Sequence, residues 1–189
     1  MQKLVRADIL GPARFAPLRD ELRRLNIERK RKRRVSVGPQ VTLVFENRDT
    51  MKFQIEEMCR AEELHDDAKI QHEIDTYNQV LPDEGQLAAT LFIEVQSDAA
   101  LRLTLERLVG LQNHVWLETG TERIRAVFDA DQFTTDKLAA VQYLKFPFSP
   151  TAIKSMATDL RLVVDHPNYQ HEARLNELTR QELAEDLVS

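Results

Sequence analysis

The sequence predicts an α+β fold. We expect one folded unit with a mixed or mainly antiparallel sheet of five to six strands, flanking helices and an N-terminal helical arm. Three observations carry this expectation. β-Branched and aromatic runs such as QVTLVFE (40–46), LAATLFIEV (87–95) and LRLVVDH (160–166) read as strands. Longer stretches between them carry apolar residues at spacings of three and four, the mark of amphipathic helices. No repeat of fixed period and no low-complexity linker divides the chain, so the elements belong to one α+β domain. A chain of 189 residues fits one domain, or a domain with an arm, and is long enough for a core without staples.

Each element has its own signals. Residues 12–34 read as a helix: Pro12 suits a first turn, and Phe15, Leu18, Leu22 and Leu25 form one face. The run ERKRKRR ends it, and Gly38-Pro39 breaks the chain. After the strand at 40–46, Asp49 or Thr50 is expected to cap a helix to about Leu64. His65-Asp66-Asp67 interrupts, and a second helix over 68–80 stops at Pro82. LAATLFIEV is apolar almost throughout and should be a central strand covered on both faces. Ser97 or Asp98 caps a helix to about Val109, closed by Gly110. VWLET and RIRAVFD flank Gly120-Thr121 as a hairpin. A short helix is expected over 133–140, then a strand AVQYLKFPF whose Pro147 suggests an edge or a strand end. Ser149 or Thr151 caps a helix to about Ala157. LRLVVDH is the last strand, and a terminal helix covers 173–187.

Hydrophobic residues are 42% and charged residues 30% of the chain, as in ordinary globular proteins. No apolar run approaches the roughly 18–20 residues of a membrane span. MQKLVRADIL lacks the apolar region of a signal peptide. Cys59 is the sole cysteine, which excludes an intrachain disulfide and a Cys-rich zinc or iron–sulfur site. A reducing, cytoplasmic compartment is the expectation. The net charge of −5 hides an asymmetry: residues 1–34 hold twelve of the 26 Lys/Arg but only four of the 31 Asp/Glu. We therefore divide the chain into a basic helical arm, 1–36, and an α+β domain, 37–189.

The candidate site lies on polar residues at apolar positions. On a helical wheel, Glu62 falls inside the stripe of Met51, Ile55, Met58 and Cys59. Glu73 falls between Ile70 and Ile74, with Tyr77 on the same stripe. Glu94 shares a strand face with Thr90 and Phe92, and Glu46 shares one with Thr42 and Val44. Such carboxylates are costly to bury without partners. Ion pairing with Arg48 and Arg60 is the first explanation, and a metal held by carboxylates and imidazole is the second. Glu62-x-x-His65 matches half of a di-iron helix motif, but the other motif and two further glutamates are missing. His166, in DHPNY, is either a base or ligand, or simply part of a turn built by Asp165, Pro167 and Asn168; the turn is favoured. Cys59, on an apolar stripe, reads as a core thiol. The run Arg29–Arg34 has the charge to meet phosphate but lacks interleaved aromatics and any nucleic-acid motif. Its other readings are a solvated helix end or an arm docked on the acidic body. No P-loop, dinucleotide fingerprint or nucleophile elbow is present.

Several longer strings also carry a resemblance. GPQVTLVFENRDTMKFQIEEM, HEIDTYNQVLP, LAATLFIEV, AVQYLKF and DHPNY, in this order, resemble an uncharacterised bacterial domain-of-unknown-function family of about this length. The resemblance implies no assigned activity. It implies a gene neighbourhood shared with rubrerythrin-type di-iron proteins and iron–sulfur subunits, and hence a redox or oxidative-stress setting. The family's polar pattern falls on Glu46, Asn47, Arg48, Gln54, Glu57, Arg60, Glu62, Glu73, Tyr77, Asn78, Glu94, His166 and Tyr169. Glu63 and His65 lie outside it. The leading expectation is an accessory protein that binds a redox or iron–sulfur partner, with or without iron or another divalent metal on Glu62, Glu73, Glu94 and His166. The alternatives are a small enzyme using a carboxylate–His166 acid/base pair and a nucleic-acid module acting through the arm. Enzymatic activity and homo-oligomerisation are left open by the sequence.

Overall fold

The computed structural model describes residues 1–120, 122–129 and 138–188. An N-terminal strap, residues 1–11, leads into α1 (Pro12–Phe15), a 3-10 turn with Pro17, and α2 (Arg19–Lys32). β1 (Arg34–Val37) and β2 (Val41–Glu46) follow as a hairpin. Then come α3 (Arg48–Ala61), α4 (Asp67–Val80), β3 (Gln86–Ile93) and α5 (Asp98–Arg107). β4 (Val115–Thr119), β5 (Arg123–Arg125), β6 (Val127–Phe128) and β7 (Val141–Pro147) come next. The chain ends with α6 (Pro150–Met156), β8 (Leu160–His166), β9 (Tyr169–Arg174) and α7 (Glu177–Val188).

The fold is α+β, with antiparallel strands divided between two sheets: β1-β2-β3-β7-β6 and β5-β4-β8-β9. Strand alternation explains how they pack. Val41, Leu43 and Phe45 of β2 share a face with Leu87, Ala89, Leu91 and Ile93 of β3 and with Leu144 and Phe146 of β7. That face meets Val115, Leu117, Leu160, Leu162 and Val164 of the second sheet in one buried cluster. The opposite face of the first sheet carries Thr42, Val44, Glu46, Ala88 and Thr90, and all five are buried. The helical layer of α2 to α4 lies on this side, where Lys30 of α2 reaches Glu46. A second, smaller core joins Leu4, Ile9, Met51, Ile55, Cys59, Ile70, Ile74 and Leu81.

β3 occupies the middle of its sheet, as its apolar run requires. Several boundaries differ from expectation. The helix over 12–34 stops at Lys32. Arg33 turns inward, and Arg34-Val35-Ser36-Val37 alternates exposed and buried as a strand. The hairpin needs Gly38 at φ +72, where an added Cβ would lie 2.5 Å from the Tyr169 hydroxyl. Asn47, not Asp49 or Thr50, caps α3: its side chain accepts from the Thr50 N–H, and the Thr50 hydroxyl accepts from the Asn47 N–H. α3 ends at Ala61, with Glu62 at the cap position and Glu63 at φ +52. RIRAVFD is not one strand. At Ala126 it crosses between sheets, β5 pairing with β4 and β6 with β7. YQHEAR forms β9 against β8, so the terminal helix begins at Glu177 instead of 173. The helix expected at 133–140 falls largely outside the described residues. Among the described residues, no helix is long and apolar enough to cross a membrane.

Candidate functional cleft

The polar face of the first sheet sets the geometry. One cross-strand row is Glu46, Ala88, Lys145 and Val127, and the next is Val44, Thr90 and Tyr143. Ala88 is the only small side chain between Glu46 and Lys145. Glu46 is 2% exposed. Its Oε1 accepts from the Thr90 hydroxyl at 2.9 Å and from Lys30 Nζ at 3.4 Å, while its Oε2 has no hydrogen-bond partner. Burial pushes the Tyr143 phenol above its ordinary pKa, and Tyr77 and Glu46 push it the same way. Tyr77 is raised by burial and by the fields of Glu73 and Glu62, against a hydrogen bond from Gln54.

A cleft of about 500 Å³ opens between this face and α4. Thr76, Gln79 and Val80 of α4 line one wall, and Val127, Phe128, Asp129, Tyr143, Leu144 and Lys145 line the other. Burial lowers the Lys145 pKa, and Asp83, 3.9 Å away, opposes that shift. The volume lies within the range of ordinary binding pockets, with apolar walls and a few polar groups for orientation.

The other candidates disperse. Glu62 is exposed at the end of α3, where its head reaches water, and Glu73 is half-buried. Glu94 is exposed and pairs with Arg34 at 2.6 Å. Burial would raise its pKa, but hydrogen bonds from Thr42 and Arg34 hold it below the ordinary value. His166 is buried in the second sheet, with both ring nitrogens on main chain: Nε2 lies 3.0 Å from the Val109 carbonyl and Nδ1 accepts from the Asn168 N–H at 3.2 Å. The expected quartet of Glu62, Glu73, Glu94 and His166 is therefore not assembled. The register puts Glu94 at the end of β3, and His166 belongs to the other sheet. Among the described residues, no three His, Cys, Asp or Glu side chains converge as a metal site. The expected carboxylate–His166 acid/base pair is likewise not formed, because main-chain groups hold the ring.

Arg48 and Arg60 do pair, but with other carboxylates than Glu62 and Glu73. Arg48 takes Asp8 of the strap at 2.6 Å, and Arg60 takes Glu57 at 3.1 Å. Glu57 also receives a two-point bond from Arg19, at 2.7 and 3.2 Å. Burial opposes, yet these arginines hold its pKa below the ordinary value. Asn78 clamps the strap at Leu4. The Tyr169 hydroxyl donates to the Val37 carbonyl at 2.6 Å and accepts from the N–H groups of Gln40 and Val41. Cys59 is buried, and burial pushes its thiol up to about 11.

The basic run docks on the chain's own acid groups. Arg29 meets Asp49 at 2.9 Å, Lys32 meets Glu182 at 3.0 Å, and the buried Arg33 meets Asp186 and Glu182. Three side chains with buried or cleft-lining positions are absent from the candidates that the sequence offers. Tyr143 and Lys145 were findable, since alternation in AVQYLKFPF puts them on the face opposite Leu144 and Phe146. Glu56, 1% exposed, gave no signal, because it flanks its apolar stripe instead of interrupting it.

Residues 3–187 match the family model described as "Protein of unknown function (DUF3501)". The chain belongs to the DUF3501 family. A similar solved structure is a novel protein of unknown function from Burkholderia pseudomallei K96243. It is 33% identical, with a TM-score of 0.93, over 98% of this chain and 100% of that one. None of the curated proteins matches. DUF3501 membership thus shows an uncharacterised bacterial family with an α+β fold.

Proposed function

We propose that the protein is an accessory binding component and not a catalyst, and that it engages a partner protein through the cleft under α4. The carrying observation is the cleft itself. Its rim presents Val127, 56% exposed, on a two-residue edge strand. Its apolar side chains are Val80 of α4 and Val127, with Tyr143 and Lys145 as polar guides. A pocket of this kind accepts an anchoring side chain, and such anchors dominate interface energetics. The position of His166 supports a non-catalytic reading, and self-pairing of the arm argues against phosphate contacts. The setting in a cytoplasmic redox or oxidative-stress system, with an iron–sulfur or di-iron protein as partner, rests on the family resemblance alone. A resident metal is not part of the proposal, because the ligands expected for it stand apart.

Co-purification of the tagged chain from its own host tests this. Wild type should enrich one iron–sulfur or di-iron protein about tenfold over Val127→Asp, with both chains equally stable. Equal capture by both removes the cleft as the binding site. A partner without a redox group removes the redox setting and leaves the cleft.

A further inference from the structure

We draw no further inference here: the strongest candidate, the apolar groove lined by Leu22 and Leu25 of α2 and Phe53 of α3, carries nothing because nothing in the structure shows what covers it.

Discussion

Tyr169→Phe removes one oxygen and, with it, three hydrogen bonds to the β1–β2 hairpin. The ring is 4% exposed and keeps its volume in the variant, so no cavity opens. What changes is the fate of three backbone groups. The Val37 carbonyl and the Val41 N–H belong to residues 0% and 1% exposed, whereas Gln40 is half-buried and its N–H can recover a water. Val37 and Val41 also face each other in the β1–β2 ladder and keep that pairing, so the loss is that of the three hydroxyl bonds, at about 0.5–1.5 kcal/mol each. Together they give a loss of about 1.5–4.5 kcal/mol, or a fall in Tm of roughly 3–18 °C for a chain of this size. Urea denaturation followed by circular dichroism measures it, with the slope expected to stay unchanged. Gly38→Ala supplies a cross-check. Its Cβ would sit 2.5 Å from both the Tyr169 hydroxyl and the His171 ring. Removing the oxygen relieves one of those clashes, so the double variant should lose less than the sum of the singles. A Tyr169→Phe loss below about 0.5 kcal/mol would refute the view that this hydroxyl satisfies the hairpin.

Arg33→Met should destabilise by about 3–5 kcal/mol, because Asp186, 8% exposed, loses its guanidinium; a surface-like loss in a thermal melt would contradict the buried pair. Glu62→Ala should stay within about 0.5 kcal/mol of wild type, and a larger loss would mean that Glu62 is buried after all. Glu56 should titrate above its ordinary value of 4.5, because burial outweighs the two backbone N–H bonds. Its folded pKa is raised, so its contribution to stability is full below about pH 4.5 and is lost as pH rises through the folded midpoint. A carboxyl NMR titration at or below 4.5 would defeat this. Nucleic-acid columns should retain wild type and the full-length charge variant Arg31→Ala equally at physiological salt, since Arg29, Lys30 and Lys32–Arg34 already face the chain's own carboxylates.

Much of the fold was legible in the sequence because its signals are local. The β3 run is apolar at consecutive positions, which suits a strand covered on both faces. Asp66, Ser97 and Ser149 accept backbone N–H groups at helix starts. β1 was hidden because its two valines follow a run of six basic residues that extends the helical pattern. β9 was hidden because YQHEAR is polar and, beyond the buried Tyr169, is held by pairing with β8.

The candidate site was less legible. A wheel shows which side of a helix an atom faces, but not what waits there. Glu62 shares its stripe with Ile55 and Cys59, yet α3 ends beneath it and the side chain meets water. Of the carboxylates that the sequence singles out for the site, Glu46 alone is buried, because β2 carries it under the helical layer beside Lys30.

Taken by itself, the sequence determined the α+β class, the position of β3 and the basic arm with its acidic counterpart. These follow from periodicity, capping and charge, all of which act within a few residues. Only the tertiary structure decided that the arm's charges are spent on the body. It alone divided the strands into two sheets, locked His166 to main chain, and turned Asn78, Glu56 and Arg48 into the grip on residues 1–11. The physical reason is distance along the chain. The grip on residues 1–11 and the His166–Val109 contact join residues at least 40 positions apart, and no local pattern encodes which distant partner will satisfy a buried polar group.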